Sequence, residues 1–207
     1  MSDTSHTVTS VEQLEAIYGH ASGAAVVKEI DHVSAEYRKF IEASPFFVLA
    51  SNGPEGVDCS PRGDEPGFVR VADEKTLLIP DRRGNNRLDS LRNIVRDPRV
   101  SLLFLVPGVS ETFRVIGRAS ISTDPALCEG FVFAGKTPRA VIVVTVESVY
   151  FQCAKALVRS KLWDSSRHVD RKSLPSNGTI LAAITKGEIG GEEWDRAYPE
   201  RLRQTIY

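Results

Sequence analysis

VSLLFLVPGVSETFRVIGRASIS, residues 100–122, decides the fold. The first seven residues are almost all apolar and have the length of a buried strand. Pro107-Gly108 then punctuates the chain as a turn. Beyond it, polar Thr112 and Arg114 alternate with apolar Phe113 and Val115, which predicts a second, long strand with a bulge at Gly117. Two strands joined by so short a turn run antiparallel.

Upstream, Leu88, Leu91 and Val95 recur at helical spacing, so a helix is predicted over 87–96, ended by Asp97-Pro98. Before it, FVRVAD and KTLLIP (68–73 and 75–80) predict a hairpin. FFVLAS (46–51) predicts a strand, Asn52 to Gly56 a turn, VDCS (57–60) further extended chain, and PRGDEPG (61–67) a loop. Towards the N-terminus, Ser10 caps a short helix that Gly19 ends. A second helix is predicted over 24–43, with Ile30, Val33, Tyr37, Phe40 and Ile41 on one face. Downstream, Asp124-Pro125 opens a short helix, AVIVVTV (140–146) reads as a strand and CAKALVRSKLW (153–163) as a helix. The tail from Asp164 reads as polar loops with one short helix near Ile180.

The middle is therefore strand-rich, mainly β, with hairpin-scale connections and flanking helices. That points to an antiparallel β-barrel rather than the strand–helix alternation of a parallel sheet. The organisation expected is a single domain: N-terminal helices over 1–45, a barrel core over 46–150, and a helical and loop extension over 151–207.

The chain has 207 residues, a net charge of −1, 42% hydrophobic and 26% charged residues. A neutral balance argues against nucleic acid as a partner, so any anion site has to be local. The opening MSDTSHTVTS lacks a signal-peptide pattern, and no apolar run approaches the roughly 20 residues of a membrane span. Cys59, Cys128 and Cys153 are widely spaced without a CxxC pair, which fits reduced thiols and a cytoplasmic location. No metal is expected; His6, His20, His32 and His168 are scattered.

Two stretches invite a phosphate reading. GFVFAGKT (130–137) fits the G-x-x-x-x-G-K-T pattern, but a helix precedes it and a strand follows it, the reverse of what a nucleotide loop needs. It reads instead as a helix-to-strand connection with Phe131 or Phe133 facing the core. RRGNNR (82–87) is better placed. Asn85 or Asn86 is suited to cap the following helix, whose free amides and dipole favour an anion, and arginine adds bidentate charge. The competing reading is a solvated loop whose arginines pair with Asp81 and Asp89. Arg62 lies in the loop before the hairpin, and Arg114 sits inside an apolar pattern, where it needs an anion or a carboxylate.

CSPRGDEPGFVRV, TLLIPDRRGNNRLDSLRNIVRDPRVSLLFLVPG and ETFRVIGRASI, in that order and spacing, resemble the FMN-binding, pyridoxamine 5′-phosphate oxidase-like family. The resemblance implies an FMN-binding split barrel and a homodimer with FMN at the subunit interface. It also implies a flavoprotein oxidoreductase acting on a small molecule. The alternative is a non-catalytic binder or carrier of flavin or another cofactor on the same barrel. By the same resemblance, Arg62 matches an arginine of the first flavin-contacting strand. The backbone near Val69 and Ile79, with Pro80, passes the isoalloxazine ring. Asn85, Asn86 and Arg87 stand where the family has a serine–arginine–lysine phosphate turn; one of two cations is lost, and Arg82 or Arg83 is left to compensate. Thr112 falls where the oxidase has a flavin-contacting glutamine, and Arg114 follows on the same strand face. Lys155, Arg159 and Trp163, with Cys153, resemble a feature of one subgroup and would close the pocket from a second subunit. The other reading of that segment is an amphipathic helix with Leu157 and Leu162 inward. No catalytic acid or base is assigned. The oxidase's substrate-reading tryptophan and arginine have no counterpart over 198–207, so the resemblance supports the cofactor more than the vitamin B6 reaction.

Overall fold

The computed structural model describes residues 6–54 and 56–207. Three helices lead in: α1 (Val11–Tyr18), α2 (Ala24–Val27) and α3 (Ala35–Ala43). Strands β1 (Phe46–Gly53), β2 (Gly56–Gly63), β3 (Arg70–Asp73) and β4 (Thr76–Pro80) come next, then α4 (Asp89–Arg96), β5 (Arg99–Leu105) and β6 (Thr112–Ser122). The chain continues through α5 (Pro125–Glu129), β7 (Val141–Gln152), α6 (Lys155–Ser160), α7 (Asn177–Ile184) and α8 (Glu192–Thr205). All seven strands form one antiparallel sheet in the order β2-β1-β5-β6-β7-β4-β3.

The β5–β6 hairpin is at its centre, with Phe104 opposite Phe113 and Arg99 opposite Arg118. The expected bulge is present: the β6–β7 register shifts between Ile116 and Gly117. A Cβ at Gly117 would lie 2.1 Å from the Thr145 carbonyl oxygen, so only glycine fits this approach. Alternate residues then fill one face. Phe47, Leu49, Leu77, Ile79, Leu102, Val115, Ile142 and Val144 belong to a single buried cluster. The sheet curls around it: Phe47 on β1 stacks on Phe68, just before β3, with ring centroids 5.8 Å apart.

Closure stops short of the expected barrel. Among the described residues no ladder joins β2 to β3; side chains link the two ends of the sheet, among them the ion pair at 2.8 Å between Arg62 on β2 and Asp81 just after β4.

Several elements depart from the sequence reading. The helix predicted over 24–43 is broken, because β7 outruns β4. The β4–β7 ladder ends at Thr145, and Ile30 supplies the partner that Val149 then lacks, through backbone hydrogen bonds of 3.1 and 2.8 Å. Ser34 caps the restarted helix by accepting from the Tyr37 amide. The predicted 61–67 loop is strand as far as Gly63, since an edge strand tolerates Pro61. β7 runs to Gln152 rather than 146, matched to the full length of β6. The helix over 153–163 shrinks to α6. α8 has no counterpart in the sequence reading; Pro199 inside it is a residue that usually ends a helix. The turn expected at Asn52 to Gly56 includes Glu55, outside the described residues; Gly53 and Gly56 pair across it. Among the described residues no helix is long and apolar enough to cross a membrane.

Candidate functional site

β4 ends at Pro80, and the chain leaves the sheet as Asp81 donates its amide to the Ala140 carbonyl, 2.9 Å away. The chain then enters a strained turn. Asn86 and Leu88 both have left-handed backbone, at φ 59° and 60°. Asparagine tolerates that conformation; for leucine it costs about 1–2 kcal/mol. The Asn85 side-chain oxygen accepts from the Arg87 amide at 3.0 Å. This corrects the expected cap. Asn85 closes the turn, while α4 starts only at Asp89, four residues later, behind Leu88, which makes no side-chain cap.

The turn forms one wall of a cleft of about 660 Å³. The end of β2 brings Ser60 to Arg62, the connection from α5 to β7 brings Lys136 to Arg139, and Tyr207 closes one side. Six cations and two carboxylates line it: Arg62, Arg82, Arg83, Arg87, Lys136 and Arg139 against Asp81 and Asp89. The cations fall into two classes. Arg62 pairs with Asp81, yet its Nε is buried with no acceptor. Arg87 donates to Asp89 at 2.8 Å, and this hydrogen bond, ahead of the charge attraction, raises the arginine's already high pKa. With Arg87 74% exposed the pair is one that a stronger anion displaces, since exposed pairs are worth about 0–1 kcal/mol. Arg82 donates its Nε to Asp64 at 2.6 Å and an Nη to the Phe131 carbonyl at 2.8 Å. Arg83, Lys136 and Arg139 have no carboxylate partner among the described residues.

Asp64 is the buried centre of a small network. Its side chain is 1% exposed and accepts from Arg82, from the Tyr207 hydroxyl at 2.9 Å and from the Glu65 amide. The hydrogen bond to Asp64, then burial, raises the Tyr207 pKa above its usual 10.0. The Tyr207 ring packs on Phe133, centroids 4.9 Å apart.

The cleft thus gathers Arg62, Asn85, Asn86 and Arg87 among the residues singled out in the sequence. The others lie elsewhere. Val69, just before β3, and Ile79 and Pro80 on β4 are buried, so only their backbone is available to a ligand. Thr112 is buried, and Arg114 donates to the Tyr150 hydroxyl at 3.1 Å on the outer face of β6 and β7. Lys155 and Arg159 are exposed on α6, and Trp163 donates to the Val109 carbonyl at 2.8 Å, clamping the β5–β6 turn. Of the two arginines offered as a replacement for the lost phosphate-turn cation, Arg82 is committed to Asp64 and does not fill that role. The phosphate-loop pattern is a connection with Phe131 buried, as its order implies. Its Lys136 and Arg139 nevertheless face the cleft, a role that sequence reasoning missed because nothing local ties this connection to the arginine turn.

The sequence profile described as pyridoxamine 5′-phosphate oxidase matches residues 33–153, more than half of the chain. The chain belongs to the pyridoxamine 5′-phosphate oxidase-like family. No curated protein matches it. Solved structures similar to it include HupZ from Group A Streptococcus, 19% identical over 57% of this chain and 93% of that one, with a TM-score of 0.47. General stress protein 26 from Bacillus anthracis is 16% identical over 55% of this chain and 88% of that one, with a TM-score of 0.42. An FMN-binding protein from Syntrophomonas wolfei subsp. wolfei is 12% identical over 56% of this chain and 83% of that one, with a TM-score of 0.44. In family terms, the arginine turn and the β5–β6 hairpin both fall inside the matched region, whereas α6, α7, α8 and Tyr207 lie beyond it.

Proposed function

We propose that this member of the pyridoxamine 5′-phosphate oxidase-like family is an FMN-dependent oxidoreductase acting on a small molecule. It would work as a cytoplasmic homodimer in which the curled sheet serves as the family's split barrel. The observation that carries the reading is the strained 85–88 turn facing Arg62 across the cleft. Backbone strain persists where surrounding structure enforces it, and such sites cluster at ligand clamps. The donor chemistry fits a phosphate: Arg62 has a buried Nε without an acceptor, and Arg87 has only an exposed, exchangeable partner. The cleft's volume is within the range of small-molecule sites.

When bound, FMN supplies the redox chemistry. The chain's own task is to hold it. Arg87 and the Asn85 and Asn86 amides would bind the phosphate, with Arg62 beside them. Val69, Ile79 and Pro80 would offer backbone to the ring, whereas Thr112 and Arg114, outside the cleft, would offer a polar edge only from a second copy of the chain. Lys155, Arg159 and Trp163 lie outside the cleft, so they would meet the flavin only from a second copy of the chain.

The test is the visible spectrum of the purified protein, before and after adding FMN, for wild type and Arg87→Ala. Oxidised-flavin bands in wild type, weakened at least tenfold in apparent affinity in the variant, are the expected result; a colourless protein that takes up no flavin overturns it. Flavin bound without turnover by any reduced donor would leave a carrier in place of an enzyme.

A further inference from the structure

We infer that the cleft holds a second anionic group, a phosphate, at a subsite built by Arg83, Lys136 and Arg139. The inference rests on the FMN reading for the first phosphate and names a second one that this reading does not use.

The first argument is charge. In a chain of net charge −1, six cations meet two carboxylates in one cleft. Three of the six are neutralised within the fold, by Asp81, Asp64 and Asp89. The other three face the same space without a carboxylate among the described residues. All three are exposed, so water screens part of their mutual repulsion, and an anion entering between them removes the rest. One phosphate at the 85–87 turn leaves that second group unanswered.

The second argument is rigidity. The connection carrying Lys136 and Arg139 is fixed to the arginine turn. Arg82 donates to the Phe131 carbonyl, tying the two segments together at 2.8 Å. Phe133 and Lys136 exchange backbone hydrogen bonds of 3.0 and 2.8 Å across a tight turn with left-handed Ala134 and Gly135. Phe131, Pro138 and Ala140 are buried, which leaves Lys136 and Arg139 outward on a pinned backbone. Tyr207 braces the same turn through Phe133. Arg82 is therefore a positioning residue: it sets one group of cations against the other and is itself spent on Asp64.

The second phosphate has two sources to distinguish, one ligand bearing a diphosphate or a separate phosphorylated molecule beside FMN. Titrations of the full chain with inorganic phosphate, pyrophosphate, FMN and FAD, on wild type, Arg87→Ala and the Lys136→Ala/Arg139→Ala double variant, separate them. The double variant should lose at least tenfold in affinity for pyrophosphate while changing FMN affinity less than threefold. FAD binding tighter than FMN, with the excess abolished in the double variant, assigns both phosphates to one ligand. FMN-saturated protein that still takes up phosphate in wild type, but not in the double variant, assigns the second to another molecule. Either supports the subsite. If FMN binds and the double variant weakens FMN and pyrophosphate equally, there is one anion site, and the inference falls while the cofactor reading stands. If no flavin binds but pyrophosphate does, and both variants lose it, the cofactor reading falls and the two-anion cleft stands. If pyrophosphate fails to bind wild type, the subsite does not exist.

Discussion

Arg82 and Arg83 are neighbours in sequence and opposites in energetics. Arg82 neutralises a carboxylate that is almost wholly buried, whereas Arg83 touches no carboxylate among the described residues. Removing one partner of a buried pair leaves an uncompensated charge. Arg82→Ala should therefore cost about 3 kcal/mol, at the lower end for such a loss because the Tyr207 hydroxyl and Glu65 amide still reach Asp64. Arg83→Ala should stay within about 0.5 kcal/mol of wild type. Urea midpoints at constant m-value measure both; equal costs would mean that Asp64 does not depend on Arg82. The sequence marks both arginines as cationic but cannot assign them, because the acceptors, Asp64 and the Phe131 carbonyl, arrive from segments 18 and 49 residues away. Gly117, by contrast, is legible: a glycine inside a long alternating strand has few roles besides a bulge or a close backbone approach, and here it has both.

Elements whose limits follow from local patterning match their sequence signals; those whose limits depend on partners do not. The Asp124 cap and Pro125 place α5, and Ser10 places α1, because capping is settled within four residues. The 24–43 helix fails because β7 needs a partner for Val149, a demand that periodicity does not carry. α8 packs beside α7, with the Asp195 carboxylate accepting from the Gly178 amide at 2.8 Å and from the Ser176 hydroxyl. Just beyond α8, Tyr207 ties this helical pair to Asp64, the residue after β2. The Tyr207 pKa is raised, so the latch stabilises the fold below the phenol's usual 10.0 and is lost as pH rises through the higher folded-state value. Hydrogen exchange of α8 in wild type should stay slow past pH 10 relative to the intrinsic rate and then accelerate. In Tyr207→Phe it should be fast throughout, with no alkaline step. A step retained in the variant would remove Tyr207 as its cause.

At the scale of the molecule, the sheet is legible as antiparallel from its hairpins, and its curl from the apolar face that β1, β4, β5, β6 and β7 share. Its open seam is not, since closure depends on whether β2 and β3 reach each other, and strand length alone leaves that undecided. The candidate site divides in the same way. Arg62, Asn85, Asn86 and Arg87 share one cleft, while the α6 residues lie outside it. If a second copy completes the site, the protein should sediment at twice 22.8 kDa, and dilution to monomer should release flavin in proportion. A monomer that keeps its flavin would exclude a shared site.

The seam leaves β2 with one unpaired edge, a template on which another chain's strand can nucleate. Pro61 sits within that edge and removes a donor from it without breaking the ladder to β1. The proline that disguises β2 as a loop thus guards against aggregation: it lets the sheet stay open without inviting stray strands to finish it.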